Sequence, residues 1–236
     1  YGNISKIDLT KEFWIPYNKG GDLKKWYGNN EFVLNWKNKG KDLVRSRTQN
    51  SHLYLKHGVT WTFISASFFA ARFFDEGFLW DVSGSSAFAN SDSDNFLILS
   101  LMCSHVGKYI LDLSNPTLNY QVENILALPI SSKLNESKSE IINSAKELIE
   151  IARADWDSFE TSWDFQSLPL LGLRGKGLGV SMQNHLNPKT QSITPNFLVE
   201  ECWNRWRELS EERITRMQQL ETENNRLFIE AYGLQD

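Results

Sequence analysis

The chain has 236 residues, 41% of them hydrophobic and 13% aromatic, and a net charge of -4. That is enough apolar material for a good core in one or two domains, yet no stretch approaches the ~20 apolar residues a membrane-spanning helix needs. Cys103 and Cys202 stand far apart without a CxxC partner, and His52, His57, His105 and His185 lack ligand spacing, which argues against a disulfide framework or zinc knuckle and for a reducing cytoplasm.

The charge is uneven. Nine Lys or Arg fall between Lys19 and Lys56, against Asp22, Glu31 and Asp42. The last forty residues are acidic by contrast. Aromatics and amides interleave with the cations, a mixture that can meet phosphates, read base edges and stack. The competing reading is a solvated loop face with core aromatics. The chain begins Tyr1-Gly2-Asn3 without a Met, so a piece of a longer protein is expected.

Glu12-Phe13-Trp14-Ile15 reads as a strand ended by Pro16. Gly20-Gly21 and Gly28-Asn29-Asn30 are turn signals. Phe32 to Trp36 is a second short strand, and Lys37 to Asp42 is a charged hairpin tip. Further strands are expected at His52 to Leu55 and Val59 to Ser65. Phe73-Phe74 and Phe78 to Val82 bracket Glu76-Gly77 as a hairpin. Gly84-Ser85-Ser86 is a small polar loop that lets another backbone approach closely.

A buried helix is expected from 94 to about 112, capped by Asp92 or Ser93 and broken at Asn115-Pro116. Glu123-Asn124-Ile125 with Leu128-Pro129-Ile130 is expected to form one helical turn closed by Pro129. After Ile130 a polar linker leads to Ser137-x-x-Glu140, a capping box, and to a helix over 138–158 with an apolar stripe of Ile141, Ala145, Leu148, Ala152, Trp156 and Phe159. A long irregular loop lies near 164–196. The last element is an amphipathic helix from Phe197 to about Tyr232, with Asn224 in its seam. It is either coiled-coil-like or packed antiparallel on the 138–158 helix.

Catalytic patterns are incomplete. Asn115-Pro116-Thr117-Leu118 resembles the Asn-Pro-Pro-aromatic loop of amino-methyltransferases, but Leu118 stands where the aromatic belongs and no Gly-rich cofactor loop precedes it. Gly175-Lys176-Gly177 lacks the hydroxyl of a phosphate loop. Glu136-Ser137-Lys138 imitates a nuclease motif without the preceding acid. The Gly-x-Ser-x-Gly elbow is absent around Ser85 and Ser86. Trp26, Tyr27 and Trp61, among cations and glycines, divide evenly between core and ligand contact.

Several runs carry a resemblance. They are Tyr17-Asn18-Lys19-Gly20-Gly21, Lys25-Trp26-Tyr27-Gly28-Asn29, Arg45-Ser46-Arg47-x-Gln49-Asn50, Gly77-Phe78-x-Trp80-Asp81-Val82-x-Gly84-Ser85-Ser86 and Asn115 to Val122, with Tyr232-Gly233-Leu234-Gln235-Asp236 at the end. In this order they resemble the PglX methyltransferases of BREX phage-defence systems, and more loosely type IIG restriction–modification enzymes.

The resemblance implies a parent adenine-specific DNA methyltransferase using S-adenosylmethionine, with its catalytic and cofactor motifs in an earlier domain. This chain would be the C-terminal part. An α+β fold is expected, with a mixed short-stranded sheet and a buried helix in a DNA target recognition domain over 1–130. A helical spacer would follow over 131–236.

On that reading Lys19, Lys24, Lys25, Arg45 and Arg47 contact phosphates or guanine. Asn29, Asn30, Gln49 and Asn50 are base readers, and Ser85 and Ser86 admit the DNA backbone. Double-stranded DNA is the expected partner. No cofactor is expected in this chain itself. The second reading is a protein-interaction module, in which the C-terminal helix docks another defence-system subunit and the basic face meets an acidic partner.

Overall fold

The computed structural model describes residues 14–43, 49–65, 68–115, 117–173 and 195–235, without the side chains of 172–173 and 195–198. The architecture is α+β, with two small sheets and a set of helices of very unequal length.

The first sheet is β2–β1–β5, formed by Phe32–Asn35, Trp14–Asn18 and Leu79–Trp80. Pro16 does not end β1. It sits opposite Val33, and pairing with β5 begins only at Tyr17, so the donor that proline lacks is not called for on that side. The second sheet is β4–β3–β6, formed by Ala71–Phe74, Gly58–Trp61 and Ser86–Ala87. Glu76-Gly77 therefore turns the chain from one sheet to the other rather than closing a hairpin. Gly77 takes the turn with φ 98°. The expected strand at 52–55 is instead a 3-10 turn, Ser51–Leu53, followed by Leu55 at φ 64°.

The single helix expected over 94–112 is two. α1 (Asp92–Met102) and α2 (His105–Ser114) meet at a 71° bend. Ser104 makes the corner: its hydroxyl donates to the Leu101 carbonyl at 2.8 Å and accepts from the Gly107 amide at 3.0 Å, an N-cap for the second helix. Gly107 is required there, because a Cβ would lie 2.0 Å from the Leu101 carbonyl oxygen. α1 is capped by Ser91, one residue earlier than expected. The one-turn helix is α3, Val122–Leu126.

α4 runs Leu134–Trp156, a turn earlier than the Ser137 capping box implies, and its N-cap residue Lys133 makes no side-chain cap. Leu134 explains the extra turn: it is 2% exposed and packs with Leu97, Leu101, Val106, Ile141, Leu227 and Phe228. Burying a leucine is worth about 1.5–3 kcal/mol, more than a typical cap. Ile141, Ala145, Leu148, Ala152 and Trp156 are buried as the stripe predicted, while Phe159 lies beyond the helix and is exposed.

α5 is Pro169–Leu173, and residues 174–194 of the expected long loop lie outside the described residues. α6 (Pro195–Tyr232) runs antiparallel to α4, since Arg216 pairs with Glu147 at 2.6 Å and Ser131 bonds to the Ala231 carbonyl. Leu220, Asn224, Leu227 and Phe228 are its buried seam. The seam amide Asn224 donates to the Ser100 carbonyl at 3.1 Å.

The largest core cluster joins Trp26, Val59, Trp61, Ala71, Leu99, Leu148, Trp156 and Leu220. The sheet region and the two long helices thus share one interior.

Candidate nucleic-acid interface

Three loops converge beside the second sheet. They are residues 18–25, residues 62–65 with 68–70, and residues 82–86. Glycines allow the contact. A Cβ on Gly84 would lie 2.6 Å from the Asn18 carbonyl oxygen and 2.9 Å from the Gly20 amide, and one on Gly20 would lie 2.5 Å from the Ser83 carbonyl oxygen. The close approach expected at Gly84-Ser85-Ser86 is therefore made by the chain's own backbone. Asp81 ties the turn down, its Oδ1 accepting from the Ser83 and Gly84 amides at 2.7 and 3.1 Å. Ser85 is buried and donates to the Val82 carbonyl, and Ser86 is half-buried and donates to the Gly84 carbonyl.

Between the first two of these loops and β4 a cavity of about 30 Å³ opens, lined by Gly21, Leu23, Thr62, Ile64, Ser65, Phe68, Ala70 and Arg72. Arg72 comes from the middle of β4, opposite Thr60 of β3, and is 1% exposed. Its Nη1 donates to Thr62 Oγ1 at 3.3 Å, and its buried Nε has no hydrogen-bond partner. No carboxylate pairs with it among the described residues. Burial pushes the guanidinium pKa down to about 10, so the group stays charged at neutral pH.

The basic residues of the first loop divide. Lys19 is exposed and sits over the Phe32 ring at 5.3 Å. Lys24 is half-buried over Trp156 at 5.8 Å. Lys25 turns inward, pairing with Glu221 of α6 at 2.8 Å. Glu221 also accepts from Trp26 Nε1 at 2.6 Å. Trp26 itself is 1% exposed with φ 72°, a left-handed backbone held by its amide to the Ala71 carbonyl and by its carbonyl to the Phe73 amide. Trp26, Tyr27 and Trp61 are all core.

The amides divide as well. Asn29 is 6% exposed and donates to the Asp22 carbonyl at 2.8 Å, holding the loop. Asn30 is 5% exposed beside Tyr27. Neither presents an edge to solvent in this conformation. Gln49 and Asn50 are exposed, and Asn50 has φ 57° ahead of the 3-10 turn. Arg45 and Arg47 lie outside the described residues.

Arg72 was not anticipated, although a signal existed. A lone arginine interrupts the run Phe68-Phe69-Ala70-Ala71-Arg72-Phe73-Phe74, and a charge inside an apolar strand is costly unless it meets a partner.

A second cationic centre lies at the far end of α4. Arg153 grips Asp75 through both ends of its fork, Nη1 to Oδ2 at 2.7 Å and Nη2 to Oδ1 at 2.9 Å, and stacks over Tyr27 at 4.2 Å. Burial, and then the Asp75 charge, raise the Tyr27 phenol above its usual range. Here the cation has its carboxylate, which marks a structural clasp, although Arg153 Nε, like that of Arg72, is buried without a hydrogen-bond partner.

The remaining motifs resolve into structure. Asn115 ends α2, accepting from the Thr117 hydroxyl at 2.7 Å and donating to the Asn119 carbonyl at 3.0 Å. Lys138 lies inside α4 and binds Asp94 at 2.5 Å. Among the described residues no group of three or more His, Cys, Asp or Glu is placed to hold a metal, and no single helix is long and apolar enough to cross a membrane. Neither the Gly20-Gly21 turn nor the Gly84 turn opens a helix. The described residues therefore do not fit the strand–glycine–helix turn that cradles a nucleotide-like cofactor.

No family model matches the chain. It is similar to the adenine-specific methyltransferase PglX of Lacticaseibacillus casei (strain Zhang), 33% identical over 233 residues, covering 94% of this chain and 18% of that protein. It is also similar to the adenine-specific methyltransferase BrxX of Escherichia coli O9:H4 (strain HS), 36% identical over 166 residues, covering 69% of this chain and 13% of that protein. The chain thus spans less than a fifth of the length of these curated relatives.

Proposed function

From a PglX/BrxX-like sequence that matches a small part of adenine-specific methyltransferases, we propose the DNA-recognition portion of an S-adenosylmethionine-dependent adenine-N6 DNA methyltransferase of the BREX phage-defence type. The carrying observation is the 33% identity along 94% of the chain. Cofactor binding and methyl transfer belong to the parent polypeptide outside these residues, in line with the incomplete catalytic patterns here. The recognition region is 1–130, and 131–236 is its helical support.

Within that reading the exposed residues carry the contacts. Lys19, with Lys24 behind it, anchors the phosphate backbone, while Gln49 and Asn50 read base edges beside Arg45 and Arg47. A good bidentate side-chain contact to a base discriminates by about 1–3 kcal/mol. Lys25, Asn29, Asn30, Ser85 and Ser86 act at one remove, by holding the loops.

The test is methylome mapping of the full-length parent with Lys19→Ala, Arg45→Ala and Arg47→Ala. A phosphate contact lowers methylation evenly across sites, whereas a base contact relaxes the recognised sequence. Unchanged methylation in all three sinks the assignment.

A second reading rests on α6. The seam of its C-terminal half is buried in this chain, but Val199 is 64% and Trp203 47% exposed on its N-terminal half. That face suits another subunit of a defence complex. Association through it would resist salt, while DNA binding falls log-linearly with salt.

A further inference from the structure

Arg72 is the one buried charge among the described residues that the chain leaves without a carboxylate, and its surroundings are particular. A guanidinium has five N–H donors. Among the described residues one is used, by Thr62 at 3.3 Å. The nearby hydroxyls add little: Thr62 donates its proton to the Gly21 carbonyl at 3.2 Å while accepting from Arg72, and Ser65, which donates to the Phe68 carbonyl at 2.5 Å, makes no hydrogen bond with the guanidinium. Buried charges are ordinarily paired, because desolvation costs several kcal/mol per ion. Arg72 lines the cavity, whose rim is apolar and exposed: Leu23 at 55%, Ile64 at 62% and Phe68 at 57%.

Resting on the DNA reading above, we propose that the Arg72 cavity is an oxyanion site that takes a phosphate oxygen of the DNA backbone. Size selects the group. About 30 Å³ admits the oxygens of one phosphate and not a base. Charge selects the polyanion. Lys19 and Lys24, on the loop that lines the cavity, rest on aromatic rings and make no ion pair among the described residues. Together with Arg72 they outnumber the loop's Asp22, so the local field exceeds what one protein carboxylate would satisfy. The apolar rim then packs on deoxyribose carbons and keeps water from the contact. Placed in the floor of the cavity, the guanidinium sets the register of the duplex rather than reading its sequence.

The experiment uses the full-length parent and its target duplex, with binding measured across salt concentrations. Arg72→Gln is expected to bind about tenfold more weakly and to lower the slope of log K against log salt by about one. A neutral methylphosphonate moved stepwise along the duplex should weaken the parent at one position and leave Arg72→Gln unaffected there, the signature of a shared contact.

Ile64 lies on the exposed rim, so its substitution spares the core. Ile64→Glu places a carboxylate at the mouth and should weaken binding by about tenfold more than Ile64→Gln. If Lys19→Ala weakens DNA binding while Arg72→Gln and the Ile64 pair do not differ from their controls, the cavity is not the oxyanion site and the DNA reading stands. If none of these changes affects binding, both fall. Arg72→Gln that keeps DNA binding but loosens the hold of the rest of the polypeptide on this region assigns the cavity to a protein carboxylate and overturns the proposal.

Discussion

Arg153 and Arg72 both carry a guanidinium into the packed interior, and the chain treats them in opposite ways. Around Arg153, at the C-terminal end of α4, Asp75 meets the fork at two points and Tyr27 closes it from the side. The charge is consumed within the fold. Around Arg72, in the centre of β4, the neighbours are a threonine hydroxyl, apolar side chains and a small cavity open to the surface. The first arrangement joins the sheet region to a helix. The second leaves electrostatic attraction directed outward. A cation's role is thus set by its acceptors, and sequence proximity to other cations is a poor guide to it: Lys25, in the basic stretch, is spent on Glu221.

This contrast can be broken most severely at Trp26, which bridges β4 by backbone and α6 by its indole. Trp26→Ala should cost about 3–5 kcal/mol, as for other buried aromatics. Denaturant unfolding measures it, and a loss under 1 kcal/mol would mean that β4 does not depend on this bridge. Asp75→Asn should cost about 1–3 kcal/mol, since it leaves the partly buried Arg153 with only the exposed Glu150, 3.7 Å away, as counter-charge. The same method applies.

Arg72→Met sharpens the comparison, because its sign is opposite. Replacing an unpaired buried charge by an apolar chain of similar length should leave stability within about 1 kcal/mol or raise it. A loss as large as that of Asp75→Asn would show that Arg72 is a structural clasp after all.

The smallest effect is in pH. The hydrogen bond from Lys138, and next that from Ser91, hold the Asp94 carboxyl below the usual carboxylate range. Its folded pKa lies below its unfolded one. The stability it supplies is therefore present in full above the ordinary carboxylate pKa and is lost as pH falls through the depressed value. Asp94→Asn should flatten the acid limb of a stability–pH curve without altering neutral stability by more than about 1 kcal/mol, the pair being largely solvent-screened. An unchanged acid limb would remove Asp94 from that role.

Periodic features were legible in the residues. The Ile141-Ala145-Leu148-Ala152-Trp156 stripe and the long C-terminal seam with Asn224 announced α4 and α6, because burial at 3.6-residue spacing requires a helix. Short apolar runs were less informative. His52 to Leu55 looks like a strand but forms a turn, and Phe73-Phe74 with Phe78-Leu79 looks like a hairpin but feeds two sheets. Strand pairing is a long-range matter, and a period of two over four residues cannot say with whom a strand pairs. The corner at Ser104 and Gly107 was written in the chain as a cap residue and a glycine, yet the apolar run around it masks the signal.

The sequence by itself determined the α+β class, the two long amphipathic helices, the glycine turns and the kinship with PglX- and BrxX-type methyltransferases. Composition, periodicity and residue order are properties of the chain, so they can be read without coordinates. Tertiary structure alone decided which cations are free. Lys19, Lys24 and Lys25 look equivalent in line, but a carboxylate from α6, 196 positions beyond Lys25, claims one of them. Arg72, alone in an apolar strand, gained its open cavity only where two loops meet β4. Burial and pairing depend on what the fold brings within a few ångströms, and no local pattern records that.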